Sequence, residues 1–237
     1  MAFEIIPAID VAGGRLAIHT PGGPRPLEAF GGDPLAAARA YAEAGVRRAH
    51  VVDLDLAFGG SFANLAVVDA VAAIGLRVQA SGGIATLREA EQALAAGADR
   101  VVLGSGALLD LAVVREAIGA LGSRLILGIE VDEGRIRPRG RREGDLPLVE
   151  TLEWLVGSGA SGFLVTAVGR VGGMRGPDLA VVKRVVRAGR PVIAAGGVGS
   201  VDDLRALRRG GASGAVVGRA ALEGGLDLAV ALTGLDA

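Results

Sequence analysis

The segment Ser81-Gly82-Gly83-Ile84 returns 114 residues later as Ala195-Gly196-Gly197-Val198. The same offset carries Gly97-Ala98 onto Gly211-Ala212, Gly104 onto Gly218 and Ala107-Leu108 onto Ala221-Leu222. Earlier in the two halves the offset is 120: Asp10 falls on Glu130, and Gly14-Arg15-Leu16 on Gly134-Arg135-Ile136. The first half therefore holds six more residues between these blocks. A register kept over so many positions marks an internal duplication, and duplication restricts the fold more than any single motif does.

Eight short apolar runs punctuate the chain: Phe3 to Ile9, Ala49 to Leu54, Leu76 to Ala80, Arg100 to Leu103, Arg124 to Ile129, Gly162 to Val165, Pro191 to Ala195 and Gly214 to Val217. Between them, segments such as Pro34 to Ala44 and Val201 to Arg209 space their apolar residues at three to four, as helices packed on one side do. Alternating strands and helices build a parallel sheet, either open and doubly wound or closed. The repeat decides between these. Two four-strand halves related by a pseudo-twofold axis close into a (β/α)8 TIM barrel, with halves of approximately residues 1–120 and 121–237 in a single α/β domain. No linker interrupts the alternation. The Gly/Pro-rich tracts Gly13 to Gly32 and Val131 to Pro147 follow strands 1 and 5, where barrel loops cover ligands.

Composition narrows the chemistry. Of 237 residues, 51% are hydrophobic and 22% charged, which supplies a large core and excludes an intrinsically disordered chain. A net charge of -1 gives no global attraction to nucleic acid or to an anionic membrane. With no cysteine there is no disulfide, thiolate nucleophile or cysteine metal site, and two histidines, His19 and His50, are too few for a histidine-rich metal centre. Chemistry without metal or cofactor, on a small molecule, is the expectation. No apolar run nears the roughly 20 residues that span a bilayer. The start Met1-Ala2-Phe3-Glu4 lacks a basic leader, so a cytoplasmic protein is expected.

A phosphate dianion needs convergent backbone N–H groups, and glycine at a strand end lets the backbone approach it ahead of a helix N-terminus. Gly82 and Gly83 end strand 3, Gly196 and Gly197 strand 7, Gly104 and Ser105 strand 4, and Gly218 and Arg219 strand 8. Paired in both halves, they predict two phosphate sites on opposite sides of one barrel mouth, with Arg219 adding charge to the second. Tight turns also use glycine without any ligand. Between the two sites, Asp10 and Glu130 end strands 1 and 5 at equivalent positions, where one carboxylate could remove a proton beside a carbonyl or imine and the other protonate a departing oxygen. Pairing with lid arginines is the alternative. Thr166 ends strand 6 as a candidate substrate contact. Asp53 and Asp55 end strand 2 with structural or binding roles equally open, His19 and Arg141 lie in the lids, and His50 and Trp154 read as packing residues.

Together, Ile6-Pro7-Ala8-Ile9-Asp10, Val51-Val52-Asp53-Leu54-Asp55, Ser81-Gly82-Gly83-Ile84, Gly104-Ser105, Arg175-Gly176-Pro177-Asp178, Ala195-Gly196-Gly197-Val198 and Val217-Gly218-Arg219 resemble the histidine-biosynthesis isomerase family, including its bifunctional histidine/tryptophan relatives. The resemblance implies a half-barrel-duplicated TIM barrel. It also implies a cofactor-free Amadori rearrangement, aldose to ketose, of a phosphoribosyl aminoimidazole carboxamide ribotide with a phosphate at each end. By that resemblance Asp10 is the base, the glycine turns are the phosphate ligands and Thr166 is the strand 6 threonine. This chain departs from the pattern at five places. Glu130 stands for an aspartate, and a misplacement of about 1 Å can cost on the order of 10²-fold. Val171 stands for an aspartate after strand 6; a lost proton-transfer group typically costs about 10²- to 10⁴-fold. Ala85 and Ile18 stand for arginines, and Arg141 for a lid tryptophan. Besides an isomerase rebuilt around Asp10 and Glu130, this leaves open a diverged paralogue with another phosphorylated ligand, or a catalytically silent phosphoribosyl-ligand sensor.

Overall fold

A computed structural model describes residues 3–20, 22–138 and 143–236; Arg141 lies outside the described residues. Eight parallel strands form the wall: β1 (Glu4–Ala12), β2 (Arg48–Asp53), β3 (Arg77–Ser81), β4 (Arg100–Leu103), β5 (Leu125–Asp132), β6 (Phe163–Ala167), β7 (Val192–Ala195) and β8 (Gly214–Val217). Each pairs with the next in sequence. β8 returns to β1 at Glu4↔Gly214 through Pro7↔Val217, so the sheet has no free edge and closes into a (β/α)8 barrel. Helices α1 (Pro34–Glu43), α2 (Leu65–Ala73), α3 (Leu87–Ala95), α4 (Leu111–Leu121), α5 (Leu148–Gly157), α6 (Leu179–Val186), α7 (Val201–Arg209) and α8 (Leu228–Asp236) follow the strands in turn.

Strand alternation divides the buried side chains into two cores. Residues facing outward, such as Ile9, Val51 and Leu103, pack under the helices. Ile6, Ala8, Val102, Ile126, Leu164, Ile193 and Val216 fill the inside of the barrel. Trp154 on α5 packs against the outer core with the Arg115 guanidinium 5.3 Å from its ring centroid, as expected of a packing residue.

The duplication read from the sequence reappears as equivalent local geometry. After β1 the chain reverses with Val11↔Leu16 and Ala12↔Arg15 paired; after β5 it reverses with Val131↔Ile136 and Asp132↔Arg135 paired, each position displaced by 120. Both reversals hold two consecutive residues at positive φ, Gly13-Gly14 and Glu133-Gly134, the geometry of a two-residue type I′ hairpin turn. The helices after the glycine turns start alike. Thr86 accepts from the Glu89 N–H at 3.2 Å while the Glu89 carboxylate takes the Ala85 and Thr86 N–H groups. At an offset of 114, Ser200 and Asp203 build the same reciprocal cap with the Gly199 and Ser200 N–H groups.

Candidate active site

The carboxyl ends of the strands open into a cavity of about 730 Å³, within the usual range of roughly 300–1,000 Å³ for ligand pockets. It is lined by Asp10, Glu130, Thr166 and by glycine turns from both halves. The structure therefore brings together all eleven residues proposed from the sequence as catalytic, substrate-binding or phosphate-binding. Glu130 and Thr166 are register partners on β5 and β6, which sets their backbones side by side. Their equivalents in the first half, Asp10 and Val52, are paired in the same way on β1 and β2. The two carboxylates thus rise from symmetry-related points of one rim.

The glycine turns have a cause within the fold. Gly82 and Gly83 sit at φ of +94° and +70°, and Gly196 and Gly197 at +98° and +86°. A Cβ on Gly82 would lie 2.4 Å from the Asp53 backbone, and one on Gly197 would lie 2.2 Å from the Gly176 carbonyl oxygen. The neighbouring loop presses directly against each turn, and only glycine admits it. At Gly104 the amide is already used, donating to the Ile84 carbonyl at 2.7 Å, so this residue offers room to a ligand rather than a proton.

Two residues proposed as phosphate contacts spend their side chains elsewhere. Ser105, buried beneath the rim, donates its hydroxyl to Glu130 Oε2 at 2.5 Å and thereby fixes the carboxylate. Arg219 grips the Glu223 carboxylate through Nε at 2.8 Å and Nη2 at 3.0 Å, and donates Nη1 to the Gly172 carbonyl at 2.8 Å. The Glu223 carboxylate holds the guanidinium above its ordinary pKa, so this cation is largely balanced and also pins the β6 loop to the segment after β8. Val171 lies in that loop and lines the cavity.

The two aspartates read as ending strand 2 hold loops: Asp53 ends β2, and Asp55 lies in the helical turn that follows it. Asp53 accepts from the N–H groups of Leu56 and Asn64 at 2.8 and 2.9 Å. Burial raises its pKa against the opposing pull of those bonds. Asp55 accepts from Gly13 N–H at 2.7 Å and Asn64 Nδ2 at 2.8 Å, while Asn64 Oδ1 takes the Gly14 N–H at 2.9 Å. These bonds clamp the turn after β1 to the loop after β2. His19 packs against Phe58 with ring centroids 5.1 Å apart and planes tilted by 39°, and both residues line the cavity, which joins the first lid to the segment after β2. Ile18 faces Arg25 across the lid hairpin, and both line the cavity, so the lid carries a guanidinium one strand away from where the resemblance places it.

Sequence reasoning missed His50 as a site residue. Although almost fully buried, it lines the cavity floor, and its Nδ1 faces the Gln79 side-chain amide at 2.8 Å. The available signal was alternation: Arg48, His50 and Val52 on β2, Gln79 and Ser81 on β3, and Arg100 and Val102 on β4 share inward faces, so polar residues on those faces were visible as a group.

The family described as histidine biosynthesis protein matches residues 4–227, nearly the whole chain. The chain belongs to this family. Among its relatives, a protein of Paracoccus denitrificans is 40% identical over 235 residues, covering 98% of this chain and 99% of its own. One from Acidothermus cellulolyticus is 37% identical over 238 residues, covering 99% and 98%, and one from Saccharopolyspora erythraea is 39% identical over 240 residues, covering 98% of each. All three are named 1-(5-phosphoribosyl)-5-((5-phosphoribosylamino)methylideneamino) imidazole-4-carboxamide isomerase. Among the described residues of this family member, no helix is long and apolar enough to cross a membrane.

Proposed function

We propose that this chain is an aldose–ketose isomerase of histidine biosynthesis, acting on the bisphosphorylated imidazole-4-carboxamide ribotide that its relatives are named for. The observation that carries the reading is one cavity holding Asp10 and Glu130 at equivalent points between two glycine turns that both take positive φ at two successive residues. A ligand with a phosphate at each end has the same near-symmetry. In this reading the N–H groups around Gly82–Gly83 and Gly196–Gly197 hold the phosphates, and the rim around Gly104–Ser105 and Gly218–Arg219 completes each site.

Glu130, oriented by the Ser105 hydroxyl, protonates the ring oxygen of the ribosylamine as the C1–O bond breaks, which opens the sugar to an iminium. Asp10 then removes the proton from C2, and the electron pair forms the C1–C2 double bond of an enolamine. Return of a proton to C1 with loss of the proton on O2 gives the 1-amino-ketose, so the reaction is redox-neutral overall. Thr166 stands beside Glu130 as a hydrogen-bond partner for the open-chain sugar. The soluble small-molecule substrate fits a cytoplasmic enzyme.

Asp10→Asn tests the assignment. The variant is expected to lose turnover of the ribotide by about 10²- to 10⁴-fold, the span of a positioned acid or base. Its affinity for the ribotide, measured by calorimetry, should stay within a few-fold of wild type. Turnover retained by Asp10→Asn removes Asp10 as the base, and a wild-type protein that binds the ribotide without converting it favours the sensor reading.

A further inference from the structure

The repeat fails in one region. At an offset of 114 the inward-facing His50, Gln79 and Arg100 of the first half correspond to Leu164, Ile193 and Gly214 of the second. Leu164 and Ile193 are ordinary members of the barrel-filling cluster, so the same architecture closes without polar groups at these heights. Polar residues placed there carry the cost of burial and call for a separate cause.

Their hydrogen bonds run in one direction only. Arg100 Nε donates to Gln79 Oε1 at 2.6 Å, and a guanidinium has no acceptor, so the atom facing it must be the amide oxygen. The amide nitrogen of Gln79 therefore faces His50 Nδ1 at 2.8 Å and donates to it. A ring nitrogen that accepts is unprotonated, which leaves the proton of a neutral imidazole on Nε2. Arg100 is anchored in turn by Glu4 Oε2 at 3.2 Å, and Glu4 Oε1 also accepts from Arg48 Nε at 3.0 Å. Among the described residues no fully buried side-chain nitrogen or oxygen lacks a partner. Among the described residues His50 bonds only through Nδ1, so Nε2 is not sealed in by them; it opens onto the cavity that His50 lines. One layer above, on adjacent strands, stand Asp10 and Val52.

We propose that His50 is a ligand-binding residue of this site: a neutral Nε2–H donor at the cavity floor that hydrogen-bonds an uncharged oxygen of the bound sugar, with Gln79 as the positioning residue that fixes its tautomer. The proposal rests on the isomerase reading for the identity of the sugar. A neutral, fixed donor suits a hydroxyl or ring oxygen, whereas the phosphates are served at the rim by backbone N–H groups. Burial, and secondarily the Arg100 charge, push the imidazole pKa down to about 3, which keeps it neutral throughout the working pH range.

The test uses the full-length chain with 15N-labelled histidine, His50 being assigned against His19 with His50→Gln. Long-range 1H–15N correlation should show a bare Nδ1 and a protonated Nε2 from pH 8 to pH 5. In Gln79→Leu that single tautomer should be lost. In the Asp10→Asn background, saturation with the ribotide should shift the Nε2 resonance, and saturation with inorganic phosphate should not. In steady-state turnover, His50→Leu should lower kcat/KM about tenfold, the effect of roughly one unmade hydrogen bond, and His50→Gln, which keeps an N–H, should recover most of it. A His50 protonated on Nδ1, or an unmoved Nε2 resonance with ribotide bound, overturns the proposal and leaves the isomerase reading intact. Unchanged kcat/KM in a folded His50→Leu does the same; should that variant not fold, His50→Gln and the resonance shift decide. Failure of the ribotide to bind at all overturns the isomerase reading, and with it the ligand assigned to His50.

Discussion

Ser105 donates its hydroxyl to the Glu130 carboxylate, and the Gln79 amide holds the His50 imidazole in a single tautomer. Ser105 follows a glycine at a strand end and so looks like a phosphate contact, yet its hydroxyl is turned onto Glu130. Nothing in a one-dimensional pattern distinguishes the two, because the choice depends on a carboxylate 25 residues away on the next strand. His50 read from the sequence as a packing residue and was illegible as a donor, since its tautomer is set by Gln79 and Arg100 on two other strands. Its burial also has a thermodynamic consequence. In the unfolded chain the imidazole takes a proton near its ordinary value of 6.5, whereas in the folded barrel it does so only near 3. Between those values the unfolded chain binds the extra proton, so the stability held above pH 6.5 is lost as pH falls toward 3. From pH 7.5 to pH 5 this amounts to about 2 kcal/mol. Urea denaturation at the two pH values should show wild type losing about 2 kcal/mol more than His50→Gln; equal losses would mean that His50 is protonated in the folded state.

At the scale of the element, the strand–turn–helix unit was the most readable part of the chain. The eight apolar runs fall on the eight barrel strands, because strands buried on both faces must be apolar almost throughout. The glycine pairs were readable as turns, and the structure adds why they cannot be replaced. Gly83 combines a φ of +70° with a hypothetical Cβ 2.6 Å from the Ala57 backbone, so a side chain meets both a disfavoured conformation and an immovable neighbour. Gly13 has a φ of +55° and open space around it. Gly83→Ala should therefore lower the unfolding free energy by about 2–5 kcal/mol, combining left-handed strain with overpacking. Gly13→Ala should cost only the strain, about 1–2 kcal/mol. Chemical denaturation of the pair separates backbone conformation from close approach; equal losses would show that the Ala57 contact yields. The lids were readable only as Gly/Pro-rich tracts placed to cover a ligand. Their hairpin pairing follows from the positive-φ residues, while the clamp onto Asp55 and Asn64 depends on contacts across 42 and 50 residues of sequence.

Across the whole molecule the two ends of the barrel divide the work. The carboxyl-terminal rim gathers the proposed chemistry, and the opposite end is closed by charge. There Glu4 at the start of β1 meets Arg48 at 3.0 Å, Arg100 at 3.2 Å and Arg77 at 3.7 Å, while Arg48 also pairs with Asp99. The duplication predicted the closed barrel, since paired halves need each other to remove their edges. It could not predict this cluster, which belongs to the first half alone. The side chain of Arg48 is only 6% exposed, so removing its partner leaves a desolvated cation, a different matter from losing a pair in water. Arg205 and Asp202 on α7 are 3.0 Å apart with side chains 43% and 87% exposed, and solvent screens them. Glu4→Ala is therefore expected to lower stability by about 3 kcal/mol, toward the lower end for a broken buried pair because Asp99 still holds Arg48. Asp202→Ala should change it by less than about 1 kcal/mol. Urea titrations at low and high salt check both. If the loss in Glu4→Ala is as small as that in Asp202→Ala, or vanishes with added salt, the closed end of the barrel is held by its apolar core alone and the arginine cluster is incidental to it.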